Sequence, residues 1–335
     1  MTASLEHDIR QAAALLSTAT DVTLLGHVRP DADALGSALA LGRVLSKRGA
    51  TVRVSFGTGG GEWIPPETLR GLDTDGLLVR PDELPETEPL LIGLDTPTLG
   101  RLGSLGGRVA KAKETGGQVL VVDHHASNQF YGTHHVVDET AEATAVLVLQ
   151  LIDALGDDLD EPTARCLYAG LVTDTGGFRR ARPVTHAMAA RLLEAGVQPM
   201  ALTREIMDSH PFAYLPMLAT VLAGARLEPE SVQGLGLVHA VVTAETASTV
   251  RSEEVESVID VLRSTRDAEV AVVLKEGRPG EWQVSLRAMG KIDVSLAARE
   301  LGGGGHRLAA GCTVHGTAEH ALGLLRDALD RAPRL

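Results

Sequence analysis

Residues 118–122, Gln-Val-Leu-Val-Val, form a short valine-rich apolar run that stops at Asp123-His124-His125. Such a run reads as a buried strand. A carboxylate and two imidazoles at its end make a poor core, but they suit holding a metal ion or handling protons. The pattern recurs. Residues 22–25 run into Gly26-His27-Val28-Arg29-Pro30-Asp31-Ala32-Asp33, and residues 90–94 run into Asp95. Further strands are expected at 51–56 and 136–137. Helical periodicity appears over 4–18, 34–48, 108–115, 143–155, 162–172, 184–195 and 202–208. Strand alternating with helix implies a mostly parallel sheet covered on both faces. Folds of this kind carry their chemistry on the loops at the carboxyl ends of the strands.

The pattern restarts after about residue 225. A strand is expected at 236–243 and a helix at 252–263. A hairpin follows, 268–274 with 281–288, turned through Glu276-Gly277-Arg278-Pro279-Gly280. A short helix at 293–301 ends in Gly302-Gly303-Gly304-Gly305-His306. A last strand is expected at 312–315 and a last helix at 318–332. The reading is an α/β chain: a parallel-sheet catalytic domain over 1–190, a helical linker over 191–228, and a smaller mixed-sheet α/β domain over 229–335.

The chain has 335 residues and a formal net charge of −13, with 44% hydrophobic residues and 3% aromatics. Its cores must therefore be aliphatic. Coating long nucleic acid needs a basic face and stacking aromatics, which this composition excludes. A short phosphorylated substrate remains open, since bound cations neutralise phosphates locally. Cys166 and Cys312 are the only cysteines, too few for a disulfide framework, so a reducing cytoplasm is expected. The N-terminus shows no signal-peptide pattern, and no stretch is long and apolar enough for a membrane span.

Four constellations bear on metal chemistry. In His27-x3-Asp31-x-Asp33 three side chains can converge from one loop; the simpler reading is that Asp31 or Asp33 caps the next helix. Asp95 alone would be a turn aspartate. In Asp123-His124-His125 the loop can send one imidazole to a metal and the other to substrate. Asp174, before Gly176-Gly177, suits a ligand or a plain helix end. Carboxylates with a minority of imidazoles favour Mn²⁺ or Mg²⁺ over a thiolate zinc site. This many carboxylates favour two ions, about 3.5–4 Å apart. The run Gly302–Gly305 with His306 and Arg307 is not a Walker loop. It could present backbone N–H groups to an anion, with Arg287 and Lys291 adding charge, or simply stop a helix. The Gly-rich stretch 57–61 reads as a loop only.

Together, His27-Val-Arg-Pro-Asp31-Ala-Asp33-Ala-Leu-Gly-Ser37, Leu94-Asp95-Thr96, Asp123-His124-His125, Thr173-Asp174-Thr175-Gly176 and Gly303-Gly304-Gly305-His306 resemble the DHH–DHHA1 phosphoesterase superfamily. The likeness spans nearly the whole chain. Its layout is most similar to the branch of stand-alone nanoRNases and pAp phosphatases, including actinobacterial members that act on cyclic dinucleotides. The resemblance implies that His27, Asp31 and Asp95 hold one Mn²⁺, and that Asp33, Asp95, His124 and Asp174 hold a second. Asp95 would bridge. Asp123 would orient a histidine, and His125 would face the substrate phosphate. Arg287, Gly303, Gly304, Gly305 and His306 would grip a nucleotide, with Lys291 and Arg307 beside them. A homodimer is implied as well.

The expected function is Mn²⁺-dependent hydrolysis of short oligoribonucleotides to mononucleotides and of pAp to AMP, by a two-metal hydroxide mechanism, with Mg²⁺ as a possible substitute. Cyclic di-AMP or pApA cleavage is the alternative. An inorganic pyrophosphatase would leave the second domain idle, and a non-catalytic nucleotide sensor would not need the full ligand set.

Overall fold

The computed structural model describes residues 3–335. The chain divides into two compact units, one ending at Ser209 and the other running from His210 to Leu335. The first contains, in order, α1 (Ala3–Ser17), β1 (Asp21–Gly26), α2 (Ala32–Lys47), β2 (Thr51–Phe56), β3 (Leu90–Leu94), α3 (Gly107–Glu114), β4 (Gln118–Asp123), β5 (His134–Val137), α4 (Thr144–Leu155), α5 (Glu161–Asp174), α6 (Pro183–Glu194) and α7 (Pro199–Met207). Its five strands are parallel, in the order β2-β1-β3-β4-β5. The chain reverses direction across the sheet between β1 and β3. That switch point opens a crevice at the carboxyl ends of the two strands. His27 follows β1 and Asp95 follows β3, so both stand at it.

Strand β3 is buried throughout, β1 and β4 all but their first residue. This is why these segments read as continuous apolar runs rather than alternating ones. Helix α2 is buried from Ala32 to Leu45. It packs against α5 at small residues: a Cβ at Gly36 would run into the Cys166 carbonyl, and one at Gly170 would stand 2.5 Å from Asp33 Oδ1. Short 3-10 turns at Glu67–Leu72, Pro81–Glu83 and Leu99–Leu105 fill stretches whose sequence shows no period.

The second unit contains α8 (Tyr214–Ala223), β6 (Arg226–Glu228), the one-turn α9 (Ser231–Gly234), β7 (Leu237–Val242), α10 (Ala244–Ala247), α11 (Ser252–Leu262), β8 (Val270–Glu276), β9 (Glu281–Ala288), α12 (Val294–Glu300), β10 (Gly304–His306), β11 (Ala309–His315) and α13 (Ala318–Arg331). Its sheet runs β10-β11-β9-β8-β7-β6 and is mixed: β7 and β8 are parallel, the other pairs antiparallel. One face packs on α12 and α13 through Leu286, Val272 and Leu325. Part of the other is covered by α8 and α11 through Val258 and Val273. Parallel sheet first and mixed sheet second is the α/β layout expected above. Among the described residues no helix is long and apolar enough to cross a membrane. Both cysteines are buried thiols.

Of the two readings of the glycine run, the helix stop holds for its first half, and a short edge strand follows it. Gly302 and Gly303 donate their N–H groups to Arg299 O and Ala298 O, closing α12. Gly304–His306 is a strand paired with Ala309–Gly311. Glycine is required here by close approach: a Cβ at Gly303 would stand 2.6 Å from Cys312 Cβ, and one at Gly305, where φ is +140°, would stand 2.5 Å from Ala309 O.

Candidate metal centre and active site

The loop after β1 carries the first group. Asp31 is the N-cap of α2, and its Oδ1 accepts from the N–H groups of Asp33 (3.1 Å) and Ala34 (3.0 Å). The capping alternative therefore holds for Asp31, but it uses only one oxygen. Oδ2 stands 3.5 Å from His27 Nε2, and Asp95 Oδ2 stands 3.5 Å from the same nitrogen. Ligand atoms of His27, Asp31 and Asp95 all lie within 4.8 Å of one another.

A second group gathers from α2, β4 and α5. His124 Nε2 is 3.4 Å from Asp95 Oδ1, 3.3 Å from Asp174 Oδ2 and 3.9 Å from Asp33 Oδ2. Asp33, His124 and Asp174 form a three-residue cluster within the same 4.8 Å limit. Asp95 thus turns one oxygen toward each group. Its backbone is left-handed, with φ +55°, a conformation an aspartate tolerates at modest cost.

The donor set tests whether a cation fits. His27 Nδ1 lies 2.9 Å from Val28 O, and His124 Nδ1 lies 3.1 Å from Ala141 O. Each carbonyl accepts, which assigns the proton to Nδ1 and turns the Nε2 lone pair toward carboxylate oxygens. A lone pair facing anions is repulsive unless positive charge stands between them. Donors about 2.0–2.2 Å from a shared ion sit roughly 3–3.5 Å apart, close to the separations here. The titration shifts show the same demand. Burial alone would lower His27, but the neighbouring Asp31 and Asp95 carboxylates outweigh it and push the imidazole up to about 10. His124 is likewise raised against its burial, by Asp174 and Asp95. Burial, then Asp174 and Asp95, drives Asp33 well above the carboxylate range. Asp174 rises mainly through burial. It also ends α5, where the helix dipole disfavours an anion. Without cations this cluster gathers protons, so the residues fit a site for divalent ions.

Asp123 and His125 stand beside these groups. His125 Nδ1 is 2.7 Å from Asp123 Oδ1, so Asp123 fixes the ring, and Asp95 Oδ1 lies 3.6 Å from the same nitrogen. All eight residues named from the first unit's sequence thus meet at one sheet edge.

Two residues that the sequence reading passed over belong to the same place. Asn128 Nδ2 donates to Asp123 Oδ2 at 2.6 Å. Thr144, buried at the start of α4, donates its hydroxyl to Asp95 Oδ1 at 2.8 Å and its N–H to Asp33 Oδ2 at 2.6 Å. Ala145 N–H reaches Asp33 Oδ1 at 2.9 Å. Asp33 therefore caps α4 from outside, where Ala143 offers no capping side chain. The available signal was a threonine opening an apolar helix with no cap before it.

In the second unit, Arg287 pairs with Ala309 across β9–β11, and Ala309 pairs with His306 across β11–β10. Alternation puts Arg287 and His306 on one face of the sheet, either side of a methyl group. Gly304 lies on that face one row away, opposite Gly311 and then Ser285. A Cβ on Gly304 would meet nothing within 4 Å, unlike Gly303 and Gly305. Lys291 and Arg307 are tied at the backbone, Lys291 N–H to Glu269 Oε1 and Arg307 O from Val294 N–H.

The DHH family, N-terminal domain, matches residues 21–171, and the DHHA1 domain matches residues 236–332. A bifunctional oligoribonuclease and PAP phosphatase from Thermus thermophilus is 32% identical over 91% of this chain and 89% of its own length. A cyclic-di-AMP phosphodiesterase from Geobacillus thermodenitrificans is 24% identical over 90% of this chain, but over 45% of that longer protein. The crystal structure of an exopolyphosphatase-related protein from Bacteroides fragilis shares the fold, with TM-score 0.84 and 23% identity over 97% of this chain and 96% of its own. With a relative this similar along nearly its full length, and both domains matched in order, the chain belongs to the DHH family.

Proposed function

We propose that this DHH-family phosphoester hydrolase works with two divalent ions, Mn²⁺ by preference, on short oligoribonucleotides and on pAp. One observation carries the reading: two imidazole–carboxylate clusters meet with a single carboxylate, Asp95, turned toward both. In this scheme His27, Asp31 and Asp95 hold one ion, and Asp33, Asp95, His124 and Asp174 hold the other. Bound ions would neutralise the phosphate and acidify water. His125, held by Asp123, meets the phosphate and steadies its charge or the leaving oxygen. The first unit is thus assigned catalysis. The second is assigned the nucleotide, with Arg287 and His306 flanking a floor of small residues and Gly304 leaving room above it. The acidic net charge suits a small substrate whose phosphates meet metal ions rather than a basic surface. The functional unit is taken to be a homodimer.

Support for this substrate comes from the 32%-identical relative, named as a bifunctional oligoribonuclease and PAP phosphatase. A second reading, turnover of cyclic di-AMP or pApA, is supported by cyclic-di-AMP phosphodiesterases at 24% and 26% identity. Turnover of a pentaribonucleotide, pAp, pApA and cyclic di-AMP by one purified sample with Mn²⁺ separates the two. Asp95→Ala is expected to lower every rate by at least about a thousandfold while the protein stays folded by circular dichroism. Normal turnover by that variant in added Mn²⁺ would end the two-metal reading.

A further inference from the structure

We propose that Thr144 is a positioning residue of this centre: its hydroxyl locks the Asp95 carboxylate in the rotation that offers one oxygen to each ion site. The inference rests on the metal-centre reading above. A carboxylate turns about a broad, roughly two-fold torsion, so Asp95 needs something to hold it if its two oxygens are to serve different sites. The hydroxyl supplies this. Thr144 Oγ1 donates to Asp95 Oδ1 at 2.8 Å. Oδ1 is the oxygen facing His124 Nε2 at 3.4 Å, while Oδ2 faces His27 Nε2 at 3.5 Å. A hydroxyl bonded to a carboxylate is among the stronger hydrogen bonds, and both groups are buried.

Three features mark Thr144 as the residue suited to this task. A β-branched side chain near a helix start has few χ1 options, so its hydroxyl is a fixed point rather than a moving one. Its hydroxyl is not spent on its own helix, because Asp33 caps α4 instead. Its N–H and hydroxyl reach two carboxylates delivered by different elements, Asp33 from α2 and Asp95 from the end of β3. One residue thereby sets the spacing of two anions that repel each other. Those anions have no covalent reason to keep that spacing.

The test is Mn²⁺ binding to the full chain after chelator treatment, read by calorimetry and by electron paramagnetic resonance of the free ion. Wild type, Thr144→Val, Thr144→Ser and Asp95→Ala are compared. Valine keeps the shape and both backbone bonds to Asp33 but lacks the hydroxyl; serine keeps the hydroxyl. Valine is expected to weaken Mn²⁺ binding about 10–100-fold, the usual effect of removing a group that orients a ligand. Serine should bind within about threefold of wild type on the same scale. Equal binding by wild type and Thr144→Val overturns the proposal. So does a fall in the chelator-treated thermal midpoint with Mn²⁺ affinity unchanged, because that is a packing role. If wild type binds Mn²⁺ no better than Asp95→Ala, the metal-centre reading itself has failed, and the proposal falls with it. Should the valine variant not fold, Thr144→Ala against Thr144→Ser gives the same comparison by the same criteria.

Discussion

Asp123 spends one oxygen on His125 and the other on Asn128. Asn128 in turn accepts the Phe130 N–H at 2.7 Å, so the loop after β4 is tied to the carboxylate that aims His125. Asn128→Ala removes the tie on Oδ2 and leaves the carboxylate held by His125 alone. Steady-state kinetics should show kcat down about tenfold or more, with Mn²⁺ affinity little changed, since Asn128 itself offers no ligand atom to the clusters around Asp95. The glycines separate on the same logic. Gly303→Ala forces a Cβ against the Gly311 carbonyl and Cys312, and should destabilise the second unit by about 1–3 kcal/mol in denaturant unfolding. Gly304→Ala meets no obstacle, so stability should hold. KM should rise if a ligand occupies the open face above it. An unchanged KM for Gly304→Ala would remove that glycine from the substrate site.

At the scale of elements, the site depends on how closely α2 and α5 approach. Gly170 lies against Asp33, where an added methyl would stand 2.5 Å from Oδ1 and 2.9 Å from Cα. Gly170→Ala should therefore do two things together. It should destabilise the first unit by about 1–3 kcal/mol through overpacking, and it should weaken Mn²⁺ binding by displacing Asp33. Loss of stability with unchanged metal affinity would show that Asp33 adjusts freely. The helix ends act in opposite senses here. Asp33 sits at the N-terminus of α4, which favours its charge; Asp174 sits at the C-terminus of α5, which does not.

At the scale of the whole molecule, each unit carries a carboxylate whose charge its fold secures. Burial works against Glu142, yet Arg182 and Thr185 outweigh it and hold it at about 2. Arg326 holds Glu228 at about 2 against a small burial cost. Both lie below the ordinary value of 4.5. Their contribution is complete above pH 4.5 and is lost as pH falls toward 2. Thermal midpoints taken across that window should drop with acid, and Glu142→Gln and Glu228→Gln should each flatten part of the decline. Mn²⁺ should act on the first unit alone, adding about 2.7 kcal/mol at a hundred times its dissociation constant. A transition in the second unit that moved equally with Mn²⁺ would contradict this assignment.

Most strands and helices, the two α/β units and the eight polar residues at the first sheet's edge were legible in the sequence, while the short strands at 226–228 and 304–306 and the division at Ser209 within the expected 191–228 linker were not. Buried parallel strands leave apolar runs, and a carboxylate or imidazole ending such a run stands out against them. The glycine run was legible as a helix stop but not as a strand. Its reason lies in the carbonyl of Gly311 and the side chain of Cys312, which are distant in sequence until β11 folds back. Asn128 was silent and Thr144 nearly so, its one signal being an apolar helix with no cap before it, for a related cause. A threonine at a helix start and an asparagine in a loop are ordinary there, and only tertiary packing puts their hydrogen bonds on Asp95 and Asp123. The sequence supplied charged groups at strand ends. Which oxygen of each faces which partner was decided by the packing of α2, α4 and α5, because hydrogen-bond direction is a property of three-dimensional neighbours.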